Sequence, residues 1–234
     1  MKLKRVIFLF IFMSLFVLSL FSQGEIDEEQ KIFFRNEKSW AIFLNTNGYG
    51  GNYRNGKRIN ASRKFLWEID MNYIKHAKEL KISSNSNQID QYVFGKTNFA
   101  WETRGGVGYQ KELFRKIDKT GVSVRYFIIG GPSLILLKPI YYQVIRNQDY
   151  VDEKFDVTTY QPIVGRSSFF NCFDEIKPDP GVYLKGGMSF EYSKKDNRIK
   201  ALEIGGVASA FLNEVEIMAM HNSRFLFSLF ICFR

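Results

Sequence analysis

The chain has 234 residues, of which 45% are hydrophobic and 16% aromatic, and its formal net charge is +9. This length accommodates one substantial domain. Beyond an N-terminal apolar segment, no run reaches the roughly 20 apolar residues that a transmembrane helix needs, which excludes a multi-helix membrane protein. The two cysteines, Cys172 and Cys232, are too few for a disulfide-stapled secreted domain, and we expect both to be unpaired.

The N-terminus has the pattern of a secretory signal peptide. Three basic residues precede an apolar run from Val6 to Phe21, and an acidic stretch starts at Glu25. This pattern predicts cleavage of residues 1–22, which leaves a mature domain over 23–234, whereas the alternative is an uncleaved membrane-anchor helix. Loss of the three basic residues lowers the net charge from +9 to +6. For an exported chain, that surplus indicates anionic lipid headgroups rather than nucleic acid.

Residues of alternating polarity recur in eight segments, which is the period-two pattern of strands with two different faces. The predicted strands are Lys31–Asn36, Trp40 to about Tyr53, Lys64–His76, Phe99–Glu112, Val122 to about Leu137, Val182–Tyr192, Ala201–Phe211 and Arg224–Arg234. The cluster Gly48, Gly50 and Gly51 would ease tight curvature in the second strand, and the Asn55 and Gly56 pair would form the next turn. Pro132 predicts a bulge in the fifth strand.

The last predicted strand shows the alternation most clearly. One face is uniformly apolar, and it consists of Phe225, Phe227, Leu229, Ile231 and Phe233. The other face is mixed. In an exported chain, a strand of this kind is typical of the final strand of an outer-membrane β-barrel whose uniform face contacts lipid.

Connection lengths agree with a barrel. Short connections follow the second, fourth and sixth strands, while long ones cover about 79–97, 138–180 and 212–223. Short periplasmic turns that alternate with long outer loops are typical of an even-stranded barrel with both termini inside. The alternation requires that the first predicted strand, Lys31–Asn36, exists.

In these features the chain resembles the small outer-membrane β-barrel proteins of the OmpX, OmpA-barrel and PorT-like kind. The resemblance implies an all-β, antiparallel, up-and-down transmembrane barrel of about eight strands in the outer membrane of a Gram-negative-type bacterium. It also implies outer-membrane lipid and lipopolysaccharide as partners, the barrel-assembly machinery during biogenesis, and an envelope protein complex. One departure is Arg234, because members of this family commonly end on the aromatic residue itself.

The strand faces opposite the apolar ones carry ionisable side chains. Those predicted to point inward are Glu68, Asp70, Glu102, Arg104, Arg125, Lys185, Glu191 and Glu203. A basic side chain that faced lipid near the midplane would cost about 2–4 kcal/mol, and an eight-stranded barrel has an interior only wide enough for side chains. We therefore expect a charge network that plugs the lumen of a non-enzymatic protein with a structural or accessory role in adhesion, the envelope or a secretion complex. A conducting channel is the alternative for the interior.

Two other functional classes remain open. The segment His221-Asn222-Ser223 resembles the His-x-Ser of the PagL type of lipid A deacylase, in which Ser223 would be the nucleophile and His221 its base. No glutamate follows Glu216, so the orienting carboxylate of that family is missing from its expected place. The other class is a secreted, lipocalin-like binder of a small apolar ligand, which requires an apolar interior and a polar exterior. With two histidines and two separated cysteines, the sequence predicts no metal site and no cofactor.

The connection from Lys138 to Pro180 is the predicted place for a partner to bind, because function concentrates in loops on a rigid scaffold. It mixes aromatic and charged side chains, and the candidates are Tyr141, Tyr142, Tyr160, Arg166, Phe169, Phe170 and Phe173. The alternative is that these aromatic side chains only fold the loop onto the barrel rim.

Overall fold

The structure, a computed structural model, describes residues 36–76, 78–83, 91–116, 121–146, 149–155, 163–168, 173–193, 199–220 and 222–234. The predicted signal peptide, residues 1–22, and all of the predicted first strand except Asn36 lie outside this part of the chain. Its strands are β1 Glu37–Asn45, β2 Gly48–Arg58, β3 Arg63–Ile74, β4 Lys81–Ser83, β5 Gln91–Val93, β6 Asn98–Phe114, β7 Ser123–Pro139, β8 Tyr141–Arg146, β9 Asp149–Lys154, β10 Ile163–Arg166, β11 Lys177–Glu191, β12 Ala201–Val215 and β13 Ser223–Phe233. A turn of 3-10 helix, Phe173–Glu175, precedes β11.

Eight of the described strands form one antiparallel sheet in the order β1-β13-β12-β11-β7-β6-β3-β2. The sheet closes on itself as a barrel, because β1 pairs with β13 as well as with β2. The remaining strands form two small sheets inside the long connections, β4 with β5, and β8 between β9 and β10. Within the described residues, the prediction of an all-β, antiparallel arrangement of eight strands is therefore confirmed.

Each barrel strand places alternate side chains inside and outside, as a pleated strand does. In β13, the predicted apolar face is exposed, from 75% for Phe225 to 46% for Ile231, whereas Ser228, Phe230 and Cys232 are buried. The burial patterns of β3, β6, β11 and β12 alternate in the same way. The sequence pattern thus located the outer face of these strands correctly.

The prediction of a single strand from Trp40 to about Tyr53 is wrong, because this segment forms a hairpin. The whole of β1 pairs with residues 48–56 of β2 around a two-residue turn. Asn55 and Gly56, which were predicted to form a turn, lie inside β2. A β-carbon at Gly48 would lie only 1.9 Å from the carbonyl oxygen of Tyr73 in β3, so glycine is required where the chain re-enters the sheet.

The bulge predicted at Pro132 is also wrong. The pairing of β7 with β11 passes through Val182 and Pro132 without a shift, and the pairing with β6 keeps one register on both sides of the proline. A proline removes one N–H donor, and here the ladder omits that bond without inserting an extra residue. The register shift between β6 and β7 lies instead between Glu112 and Phe114.

The two ends of the barrel differ, and so do its sides. At one end, the turn end, the connections span residues 59–62, 115–122 and 192–200, whereas the long connections 75–97 and 140–176 lie at the other end, the loop end. The strands β6 and β7 have 17 residues each and β12 has 15, but β1 has 9 and β2 has 11. The wall is therefore low along β1 and β2 and high along β6, β7 and β12. No helix in the described part of the chain has the length and apolar content needed to cross a membrane.

Candidate functional site

A buried ion network occupies the middle of the barrel interior. Arg54 on β2 pairs with Glu68 on β3, and its Nη1 atom lies 2.7 Å from Glu203 Oε1 on β12. Lys185 on β11 also pairs with Glu68, and its Nζ atom lies 2.9 Å from Asp70 Oδ2. None of these five side chains has more than 4% of its surface exposed. Because Arg54 and Lys185 come from strands on different sides of the barrel, the ion pairs connect opposite walls.

Arg104 and Arg234 extend this network. Arg104 Nη2 lies 2.6 Å from Glu102 Oε2, and Arg234 Nε lies 3.1 Å from Glu203 Oε1. We call the resulting group the central network, and it consists of Arg54, Arg104, Lys185, Arg234, Glu68, Asp70, Glu102 and Glu203. Four bases face four acids, so its formal charge is zero. An unpaired buried charge is strongly destabilising, whereas a balanced network satisfies each charge.

Aromatic rings fill the space around these charges. The Arg54 guanidinium lies 4.5 Å from the centre of the Phe127 ring. Lys185 Nζ lies 5.2 Å from the Phe230 ring and 5.5 Å from the Phe43 ring. These rings belong to a buried cluster in the same part of the interior. Ion pairs and rings together pack the middle of the lumen with side chains.

Arg234 also links the first and last strands. The ladder between β1 and β13, both fully described, covers only Ile42–Asn45 and Phe230–Phe233. Beyond the turn-end limit of this ladder, Arg234 Nη1 donates a 2.7 Å hydrogen bond to Ser39 Oγ, and Nη2 donates a 3.1 Å bond to Asn52 Oδ1. One side chain therefore joins β13 to β1 and β2 where backbone pairing has stopped. We call this junction the seam.

A second set of ion pairs, the turn-end cluster, lies near the short turns. Arg125 Nη2 is 2.5 Å from Glu191 Oε2, and Arg125 Nη1 is 3.5 Å from Glu37 Oε2. Lys116 Nζ lies 3.3 Å from Glu191 Oε1, and Lys64 pairs with Glu37. These side chains are 9–21% exposed, so water reaches them more easily than it reaches the central network.

The structure places the eight predicted lumen residues in these two groups. Six belong to the central network, and Arg125 and Glu191 belong to the turn-end cluster. Sequence reasoning missed Arg54 and Arg234. Arg54 was hidden because the predicted strand stopped one residue earlier, yet the inward alternation of β2 continues through it. Arg234 follows the alternation of β13 as well, and its position at the chain end concealed its role.

The loop end of the barrel interior is apolar instead. Its buried cluster consists of Ile74, Ala100, Ile135, Leu137, Phe211, Val215 and Ile217. The interior thus changes from ion pairs at the turn end and middle to packed aliphatic and aromatic side chains beneath the long connections.

Tyr142, one of the predicted partner-binding residues, is the centre of the loop structure. Only 1% of its surface is exposed, and it packs with Ile140 and Ile163. Its hydroxyl lies 2.7 Å from the carbonyl oxygen of Lys96 and 2.8 Å from that of Val93. Burial raises the pKa of Tyr142 well above its ordinary value. This side chain holds β8 to the β4–β5 hairpin.

The other described loop candidates lie nearer the surface. The Tyr141 hydroxyl donates a 2.9 Å hydrogen bond to Glu175 Oε1, and Lys154 Nζ lies 2.6 Å from Glu175 Oε2. These hydrogen bonds lower the pKa of the Glu175 carboxyl. Phe173 lies 4.7 Å below Lys138 Nζ, which fits the alternative that aromatic side chains fold the loop onto the rim. Arg166 on β10 is exposed, and Tyr160, Phe169 and Phe170 lie outside the described residues.

The deacylase candidates are placed only in part, because His221 lies outside the described residues. Asn222 Oδ1 accepts hydrogen bonds from the N–H groups of Ile217 and Met218 and so fixes the local turn. Ser223 Oγ accepts a 3.1 Å hydrogen bond from the N–H of Phe225. Among the described residues there is no group of three or more histidine, cysteine, aspartate or glutamate side chains placed to hold a metal ion. Cys232 is free and buried in the interior, while Cys172 lies outside the described residues.

Comparison with known proteins gives a distant relative. A protein of Bacteroides ovatus, provisionally named fimbrium anchoring subunit Fim4B, is 28% identical to this chain over 153 residues. The alignment covers 63% of this chain and 39% of that protein, so the chain spans well under half the length of its relative. No family model matches the chain, and no solved structure matches it.

Proposed function

We propose that the chain is a non-enzymatic β-barrel protein of the bacterial outer membrane with a plugged lumen. The observation that carries this proposal is the apolar outer wall. Large apolar side chains are exposed on every barrel strand, among them Trp40, Ile42, Tyr49, Ile69, Met71, Trp101, Val107, Ile128, Leu184, Ile204, Phe225 and Phe227. Exposed apolar surface of this extent marks contact with another apolar phase. An apolar exterior around a charged, self-paired interior is the arrangement of a membrane barrel.

Aromatic pairs near both ends of the wall support the same conclusion. Phe65 and Tyr109 lie 5.7 Å apart toward the turn end, and Tyr73 and Trp101 lie 5.8 Å apart toward the loop end. Membrane barrels carry aromatic girdles at both interfaces with water. In the outer membrane, the short turns would face the periplasm and the long connections would face the cell surface.

The biological role that fits best is an accessory one in the cell envelope, such as adhesion or attachment of a surface structure. The name of the Bacteroides ovatus relative, a fimbrium anchoring subunit, supports this role. The ordered sheet β8–β10 at the loop end would offer the surface for a partner. Lipopolysaccharide and the barrel-assembly machinery stay as predicted partners.

Two alternatives are less well supported by the geometry. A lipocalin-like binder requires an apolar interior and a polar exterior, whereas the central network is inside and the apolar side chains are outside. A conducting channel requires an open lumen, whereas the central network and its rings fill the middle.

The deacylase alternative has a decisive test, which is Ser223→Ala followed by mass analysis of lipid A. If the chain is a deacylase, the substitution changes the number of acyl chains on lipid A, and if it is not, lipid A stays the same.

The tryptophans provide a direct test of membrane insertion. The sequence has three, Trp40, Trp67 and Trp101, and all lie on the outer face with 36–77% exposure. We expect vesicles with brominated acyl chains to quench most of their fluorescence, whereas aqueous acrylamide should quench little. Vesicles with unbrominated lipid are the control. Two results would contradict the proposal. One is tryptophan fluorescence that the brominated chains do not quench, and the other is a mature chain that stays monomeric in buffer without detergent.

The accessory role has its own test. We expect the chain, extracted from envelopes in mild detergent, to co-purify with surface-structure proteins. Replacing residues 141–166 with a short turn should abolish this co-purification but keep the tryptophan quenching. Co-purification that survives the replacement would place the partner surface elsewhere.

A further inference from the structure

A row of aromatic rings crosses the outer wall at its loop end, from β2 on the low side to β6. The Tyr49 and Tyr73 rings lie 5.6 Å apart, and Tyr73 lies 6.3 Å from Phe99. These residues come from the outward faces of β2, β3 and β6. They line one groove together with loop residues that include Tyr92 and Arg166. The groove therefore has the barrel wall as its floor and the long connections as its roof, and we call it the roofed groove.

A cationic side chain lies over each ring of this row. Lys75 Nζ lies 5.6 Å from the Tyr49 ring, and Lys96 Nζ lies 5.5 Å from the Tyr73 ring. The Arg166 guanidinium lies 5.5 Å from the Phe99 ring. Cations at these distances are attracted by the ring faces, so the rings stabilise them at the loop end of the groove.

The cations of the groove exceed its acids. Lys96 is buried and paired with Glu79 at 2.7 Å. Lys75, Lys81 and Arg166 are exposed, and none of them has an ion pair with a described carboxylate. Their N–H donors are therefore available to an anion. Arginine and lysine bind phosphate groups strongly through charge-assisted hydrogen bonds.

We propose that the roofed groove binds the phosphate-bearing headgroup of a lipid in the outer leaflet. Lys75, Lys81 and Arg166 contact the phosphate groups of this headgroup, and the acyl chains lie along the outward side chains of Ile42, Ile69 and Met71, which line the same groove. This inference rests on the proposed function, because it requires that the wall contacts a bilayer. The groove continues down the wall as far as Trp40 and Phe233, a surface that only lipid reaches in a membrane barrel. That continuity favours a lipid over a soluble phosphorylated molecule.

The test compares two charge-matched variants of the full chain reconstituted in lipid nanodiscs. The first is Lys75→Gln with Arg166→Gln, which removes two unpaired cations from the groove. The control is Lys177→Gln with Arg224→Gln, which removes two exposed cations from the loop end outside it. The probe is bisphosphorylated lipid A, its dephosphorylated form is the matched ligand, and binding is measured by native mass spectrometry.

We expect the wild-type chain and the control variant to retain the bisphosphorylated form at least tenfold better than the dephosphorylated form. The groove variant should lose about tenfold or more of that preference, since it lacks two charge-assisted contacts. Equal retention by both variants, or an equal loss in both, would overturn the proposal. Displacement of the lipid by millimolar inorganic phosphate would show a site for free anions and would overturn the lipid assignment.

Brominated-lipid quenching on the same samples separates the two proposals. Strong tryptophan quenching without any phosphate preference means that only the groove assignment fails. Absence of quenching means that the membrane barrel itself is wrong.

Discussion

Two groups of cationic side chains in this barrel have opposite surroundings. In the central network, Arg54, Arg104, Lys185 and Arg234 are almost fully buried, and each lies against at least one carboxylate. Around the roofed groove, Lys75, Lys81 and Arg166 are exposed, and Lys75 and Arg166 lie against aromatic rings. A buried cation needs a carboxylate partner, whereas an exposed cation needs none and can keep its charge for a ligand. The same residue types thus stabilise the fold in one region and are available for binding in the other.

The strongest test of this contrast removes one acid from the balanced interior. Glu203→Gln leaves Arg54 and Arg234 short of a partner, and we expect it to lower the free energy of unfolding by about 3–5 kcal/mol. Urea unfolding in lipid vesicles, followed by tryptophan fluorescence, measures this loss. The control is Glu214→Gln on the same strand, where the carboxylate is exposed and the expected change is within about 0.5 kcal/mol. Equal shifts in the two variants would contradict the stabilising role of the central network.

The seam gives the next largest effect. Arg234→Ala removes the hydrogen bonds to Ser39 and Asn52 together with the ion pair to Glu203, and we expect a loss of about 3 kcal/mol. Amide hydrogen exchange should increase first in β1 and β13. Arg224→Ala, at the exposed loop end of β13, is the matched control and should leave exchange unchanged. Uniform acceleration in all eight strands would show that Arg234 does not act at the seam.

A smaller and local effect is expected in the loop structure. Tyr142→Phe removes a buried hydroxyl that bonds to the backbone of the β4–β5 hairpin. We expect this to lower the free energy of local unfolding of the loop structure by about 1–2 kcal/mol. Limited proteolysis should then cut the segment 140–168 faster, while the barrel unfolds at the same urea concentration. Tyr150→Phe, whose ring is exposed, should behave like the wild type. Destabilisation of the whole barrel would mean that the loops and the barrel form one cooperative unit.

The smallest effect on stability belongs to the groove. Lys75→Gln and Arg166→Gln break no ion pair with a described carboxylate, so the free energy of unfolding should change by about 0.5 kcal/mol or less. The same variants should lose phosphate preference in the lipid test. A stability loss near that of Glu203→Gln would remove the distinction between the two cation groups.

The sequence predicted the two faces of β3, β6, β11, β12 and β13, because apolar side chains recur there at alternate positions over much of each strand. It failed at β1 and β2, where Gly48, Gly50 and Gly51 contribute no hydropathy signal and Asn55 and Gly56 imitate a turn. Inward charges could be identified from the pattern, but their partners could not. Lys185 and Glu68 are 117 positions apart, and their contact follows from strand order and register. Arg166 was predicted as a partner-binding residue of the long loop, but Lys75 and Lys81 escaped prediction, since the three cations come from separate segments.

The unequal wall height has a mechanical consequence. The strands of the high side exceed β1 by six to eight residues, which corresponds to about 15–20 Å of extra wall at the strand tilt typical of a β-barrel. Only Ile140 separates β7 from β8, and its N–H is bonded to the carbonyl oxygen of Thr97. One residue therefore joins the sheet β8–β10 to the barrel wall, and Tyr142 and Arg166 of this sheet line the same groove as Ile42 on the outside of β1. A pulling force on a partner bound to this sheet would pass directly into the hydrogen-bonded barrel wall.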